Sequence, residues 1–166
     1  MGDPRAALLS FCEQRETIAA CLVLEAGGEG NAGMQAVMNV IQNRAGGNPS
    51  NFYAQATRPA QFTSLSSSST AGFFKDYSPL IAKARHSVSW KTAQKIVDVA
   101  FDGKLDDLTR GATHYYAAKK CKPTWAEELD ETVVIGAHRF MREPSETSSA
   151  GQRQEPARKE HLAVLQ

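Results

Sequence analysis

The apolar pattern of this chain changes period once, after Gly103, and that change limits the folds open to it. Before it, apolar residues recur at helical spacing. After it, Gly111 to Ala118 (GATHYYAA) and Thr132 to Met141 (TVVIGAHRFM) are rich in Thr, Val, Ile, Tyr and Phe. These two segments read as two strands of a small antiparallel sheet. Helices first and a strand pair last define an α+β domain. At 166 residues the chain is one domain's length. A domain of that size buries about two thirds of its unfolded surface, so its core needs no disulfide or metal.

Asp3 before Pro4 is a helix-start signature, and the first helix is expected to run to Ala26, where Gly27 and Gly28 stop it. Ile18, Cys21, Leu22 and Glu25 fall at i, i+3, i+4 and i+7, which places Glu25 in line with an apolar stripe at the last turn. A second helix is predicted from Ala32 to Arg44, capped by Asn31 and stopped by Gly46 and Gly47, with Met34, Val37, Met38 and Ile41 facing the core. The two should pack as a hairpin. Residues 45 to 76 read as an irregular excursion containing Gln61, Phe62 and four consecutive serines, Ser66 to Ser69. Further helices are expected from Ser78 to Val88 and from Trp90 to Asp102. The structured unit should cover residues 4 to 141. The stretch from Arg142 to Gln166 carries two prolines, no aromatics and balanced charges, and reads as a polar, flexible tail.

Nineteen basic residues against 18 acidic ones give a net charge of +1, which disfavours a dedicated nucleic-acid binder. The basic run from Lys75 to Lys95 is expected to be a solvated helix face. Cys12, Cys21 and Cys121 stand in no CxxC spacing, so neither a disulfide framework nor a zinc ribbon is indicated, and synthesis in a reducing compartment follows. MGDPRAALLSF lacks the basic start and long apolar run of a signal peptide. No stretch approaches the roughly 18 apolar residues of a membrane span, so no anchor is expected.

Chemistry concentrates in two places. A carboxylate on an apolar helix face has its charged form destabilised by desolvation, so Glu25 is expected to hold a proton near neutral pH and to donate it to a leaving oxygen. The plainer reading is that it reaches solvent past the glycines. Glu29 either binds a hydroxyl or orients Glu25, or is a solvated carboxylate at the start of the next helix. The second group comprises Gln61, Phe62, His114, Tyr115, Tyr116, Trp125 and His138, rings and hydrogen-bonding groups suited to a carbohydrate groove, although each alone is more often core. Strand alternation puts Tyr115 on the face opposite His114 and Tyr116. His114, Cys121 and His138 are a zinc set by residue type but not by spacing. His114 and His138 are instead expected to hydrogen-bond across the hairpin. GxSxG, Walker A and GxGxxG motifs are absent.

The string TIAACLVLEAGGEGNAGMQAVMNVIQNR, followed in order by AQFTS, GATHYY, PTWA and TVVIGAHRFM, resembles cell-wall hydrolases of the SleB/CwlJ type over Thr17 to Met141. The resemblance implies a lysozyme-like, mainly helical lobe with a small antiparallel β element, no cofactor, and one catalytic glutamate at the position of Glu25. It implies cleavage of peptidoglycan glycan strands, as a lytic transglycosylase or a muramidase, with Gln61, Phe62, Tyr115, Tyr116 and Trp125 at matching positions in contact with the substrate, to which the reading of the residues adds Glu29 and His114. Most glycosidases use two carboxylates, about 5 Å apart for retention and roughly 6.5 to 9.5 Å for inversion. Here Glu25 alone is evident, which favours a one-acid mechanism. The serine-rich Ser64 to Ser69 departs from the family pattern. A small catalytic domain without an address suits a monomeric phage endolysin or virion-borne lysin, made in the cytoplasm and released by a holin-type pore or delivered with the particle. Two other readings compete: a zinc-dependent amidase built on His114, His138 and Cys121, and a glycan-binding module without catalysis.

Overall fold

The computed structural model describes residues 4–58, 62–66 and 76–145. Six helices precede three strands among them: α1 Pro4–Ala26, α2 Gly30–Arg44, α3 Phe52–Ala56, α4 Thr63–Ser66, α5 Ser78–Arg85, α6 Trp90–Phe101, β1 His114–Ala117, β2 Asp130–Ile135 and β3 His138–Arg142. The mainly helical α+β architecture expected from the change of period is what forms. Asp3, Gln61, Lys75 and residues 146–166 lie outside the described residues.

Helix α1 is enclosed more fully than its single stripe implied. Thr17 to Val23 are all buried, because α2, α3, α5 and α6 pack around this stretch. The small side chains of Ala19, Ala20 and Cys21 let those helices approach from every side, which is how a helix becomes buried all round. Ile18, Leu22, Met34, Met38, Ile41 and Phe52 fill the centre, each no more than 1% exposed. Helix α6 adds Ala93, Val97 and Ala100. Lys83, Arg85, Lys91 and Lys95 face solvent, as the basic run predicts.

Helix α2 starts at Gly30, two residues before the expected position, and Asn31 does not cap it. Glu29 occupies the N-cap position, and no side chain caps the helix there. The other end follows expectation: the Gly46 and Gly47 amides return to the carbonyls of Asn43 and Gln42.

The segment TVVIGAHRFM is a hairpin, not one strand. Gly136 and Ala137 form a two-residue turn between Ile135 and His138, and the sheet has three strands in the order β1-β3-β2, all antiparallel. Gly136 adopts φ +58°, the left-handed value that a glycine at the first position of a two-residue hairpin turn supplies at low cost. Phe140, in the central strand, is 1% exposed and packs with Ala36, Val40 and Ala112, joining the sheet to the outer side of α2. Strand β3 runs through Arg142, one residue past the expected domain end. No helix of the described residues is long and apolar enough to cross a membrane.

Asp107 holds the loop before β1 against α2. Its Oδ1 accepts from the Thr109 amide at 2.7 Å and hydroxyl at 2.6 Å, and its Oδ2 from the Gly111 amide at 2.7 Å and Asn43 at 3.1 Å. Partial burial pushes this carboxyl's pKa up, but the donors outweigh it and leave it below its ordinary value. A depressed folded pKa contributes stability above the unfolded value of about 3.9, and that stability is lost as pH falls through the folded value. Thermal midpoints of the parent should therefore fall more steeply below about pH 4 than those of Asp107→Asn. Parallel acid limbs would contradict this role.

Candidate active site

Glu25 stands on the last turn of α1 and is half-buried. Its Oε1 accepts from the Ser64 amide at 2.8 Å and its Oε2 from the Tyr115 hydroxyl at 2.9 Å. Both oxygens are thus held by donors 39 and 90 residues away in sequence, one in α4 and one in β1. This corrects the picture of a carboxylate on a purely apolar face.

Tyr115 is fixed on several sides. Its ring stacks on Phe140 at 5.6 Å, meets the edge of His138 at 5.0 Å and lies 6.2 Å from Phe62. Burial, then the charge of Glu25, pushes the phenol well above its ordinary pKa, so it stays a neutral donor. One turn before Glu25, the Cys21 thiol is buried and likewise pushed well up, first by desolvation and then by Glu25, which leaves it an unreactive thiol.

Arg44, which sequence reasoning did not single out, closes the cluster from the end of α2. Its Nε donates to the Thr113 carbonyl and its guanidinium lies 5.5 Å from the Phe62 ring centroid. Burial lowers its pKa. Its charge opposes the upward shifts of Tyr115 and Cys21, the two groups that flank Glu25. Ser64 was also missed, for a simple reason: it contributes a backbone amide, and every residue but proline has one.

Glu29 is drawn to the hairpin and is not a fully solvated carboxylate. Its Oε2 pairs with His138 Nδ1 at 2.9 Å and its Oε1 accepts from the Ala137 amide at 3.4 Å. It is packed so closely that a Cβ on Gly33 would lie 2.6 Å from its own Cβ, and one on Gly136 would lie 2.5 Å from Oε2. The two glycines leave the space that lets Glu29 tether the hairpin turn to α2. His138 then touches Tyr115, so the tether reaches Glu25 through one ring.

The expected aromatic set divides. Tyr115 belongs to Glu25. Phe62 is 1% exposed and supports Tyr115 from within the core. His114 and Tyr116 point the other way, as strand alternation predicts, with rings 5.3 and 5.8 Å from Trp125. Burial, then the charge of Arg44, lowers the His114 pKa. Gln61 lies outside the described residues.

His114 and His138 do not bond to each other, because β1 pairs with β3 in a register that opposes His114 to Met141 and His138 to Ala117. His138 meets Glu29, His114 meets Thr113 at 3.0 Å, and Cys121 is exposed. Among the described residues no three His, Cys, Asp or Glu side chains are placed to hold a metal ion. The set proposed for a zinc amidase is therefore not assembled.

Comparison with known proteins agrees with the fold. The catalytic domain of the germination-specific lytic transglycosylase SleB from Bacillus anthracis superposes with a TM-score of 0.55 at 23% identity, covering 78% of this chain and 93% of that one. No curated protein matches the chain. The model of the family described as Cell Wall Hydrolase matches residues 28–141, starting just past Glu25 and including Glu29, β1, β2 and β3 as far as Met141. Because that match takes in more than half of the chain, this protein belongs to the cell wall hydrolase family.

Proposed function

We propose that this protein cleaves the glycan strand of peptidoglycan between N-acetylmuramic acid and N-acetylglucosamine, with Glu25 as the single acid and base. The observation that carries the reading is the pair of donors, Ser64 amide and Tyr115 hydroxyl, that fix the Glu25 carboxylate at the junction of helices and sheet. Glu29, the other carboxylate of the glycine loop, is occupied by His138 and the Ala137 amide. A mechanism with one acid fits that arrangement. The SleB protein whose catalytic domain shares this fold is a lytic transglycosylase, which supports the same chemistry here.

In the first step protonated Glu25 gives its proton to the glycosidic oxygen as the bond to the muramic anomeric carbon breaks, with oxocarbenium character developing there. The resulting carboxylate then takes the proton of the sugar's own 6-hydroxyl. That oxygen bonds to the anomeric carbon, closing a 1,6-anhydro ring and returning Glu25 to its protonated form. No water is consumed. Tyr115 holds the carboxyl group through both steps by donating to Oε2.

Mass spectrometry of muropeptides released from purified sacculi tests this reading. Anhydromuramic ends are expected. Reducing ends would make the protein a muramidase using water, and stem peptides freed from intact glycan would overturn the glutamate mechanism. Tyr115→Phe removes one donor while keeping the ring, and should slow release by about tenfold to a hundredfold, the range for loss of a hydrogen bond to a charged group. An unchanged rate would remove Tyr115 from the mechanism.

We further propose residues 4–142 as the catalytic unit, and delivery through a pore or a virus particle. Host cells expressing the protein should lyse only with a pore-forming partner; lysis without one would contradict that delivery.

A further inference from the structure

The side of the sheet turned away from Glu25 carries chemistry that the cleavage mechanism leaves unused. A groove of about 510 Å³ is lined there by Tyr116, Lys122, Leu129, Glu131, Arg139 and Met141. Tyr116 stands nearly perpendicular to Trp125, at 85°, and His114 packs on the same indole at 47°. These three rings come from the edge strand β1 and the short turn Thr124–Glu127, so they form one half-buried aromatic cluster beside the groove. His114 and Tyr116 lie on the face of β1 opposite Tyr115 and both pack on Trp125, away from Glu25.

The charges of the groove indicate what it would take. Arg139 is bound to Glu131 at 2.6 Å, and Lys122 to Glu127 at 3.4 Å. The two cations lining the groove are thus paired within the protein, so the groove presents ion pairs that are fixed in place. What it offers is aromatic faces and edges together with fixed donors and acceptors, the combination that recognises the sugar rings of a polyhydroxylated ligand.

We infer that the outer sheet face, built on Tyr116, Trp125 and the Arg139–Glu131 pair, is a second and non-catalytic glycan-binding surface that holds a neighbouring peptidoglycan strand. This rests on the glycan reading given above. Sacculi present many strands at once, so a second hold raises the effective concentration of the first site without adding any contact to it.

Binding is measured with the full chain carrying Glu25→Gln, so that the strand is not consumed, by pelleting with purified sacculi stripped of proteins and teichoic acids. Adding Tyr116→Ala or Arg139→Gln is expected to weaken pelleting by about a hundredfold, the low end of what a lost second contact does to avidity. Equal pelleting by folded variants would overturn the proposal. A second readout is independent of how those variants fold. With Trp90→Phe, the remaining indole is Trp125, and its emission should change as an N-acetylglucosamine hexamer is titrated. Emission constant through the titration would also overturn the proposal. If the parent binds through this face yet releases no muropeptide, the cleavage reading fails and the surface stands. If it cleaves while the variants pellet equally, the surface alone fails.

Discussion

Glu25→Gln is expected to abolish release of soluble muropeptides from sacculi, with a rate loss of about a hundredfold to ten-thousandfold, the contribution of a positioned acid and base. The substitution is nearly isosteric. The glutamine carbonyl can keep the Ser64 amide, and its NH₂ can donate to the Tyr115 oxygen, so both anchors of the native side chain remain available. Thermal stability should change little, which separates loss of chemistry from loss of fold. Glu29→Gln supplies the contrast: it weakens the tether to His138 and the Ala137 amide, so it should lower stability and reduce activity only in part. The reverse ranking, with Glu25→Gln active and Glu29→Gln dead but folded, would move the acid to Glu29.

Phe140→Ala should be the most damaging single change to stability. The ring is 1% exposed and sits between the sheet and α2 with Ala36, Val40 and Ala112, small residues that cannot expand to fill the space it leaves. Truncating a fully buried phenylalanine costs about 3 to 5 kcal/mol through lost transfer energy and the cavity left behind. In a domain of this size that corresponds to a fall in melting temperature of roughly 10 °C or more. The loss should extend to activity, because Phe140 also stacks on Tyr115, which holds Glu25. Phe140→Leu fills most of the volume and should recover most of the stability while leaving Tyr115 without its ring partner. A melting temperature unchanged in Phe140→Ala would show that the sheet is not anchored through this residue.

The four longer helices were legible because each depends on neighbours in sequence, whereas the short α3 and α4 lie in the stretch read as irregular. Pro4, Gly27, Gly46 and Gly103 punctuate the pattern, and the apolar spacing between them leaves little choice. The hairpin in TVVIGAHRFM was missed although its signal was present, since glycine followed by any residue between two β-rich runs is a two-residue turn. Reading it as a single strand gave precedence to the continuous β-rich composition over the punctuation. Alternation correctly separated Tyr115 from His114 and Tyr116, because the period of two is a property of the strand itself.

The order of the elements, the placement of Glu25 at a helix end beside glycines and the division of the β1 side chains were all settled by local sequence, through backbone preference and periodicity. What surrounds Glu25 was not. Its two donors come from positions 64 and 115, one of them a backbone amide without a side-chain signature. Glu29 became a tether only because α2 and the hairpin turn meet around it, at glycines whose missing Cβ atoms make room. Arg44, half-buried at the end of α2, meets the Thr113 carbonyl and the Phe62 ring only because those segments fold against it. Hydrogen bonds and compensating charges between distant segments depend on how those segments pack, and only the tertiary structure decides that.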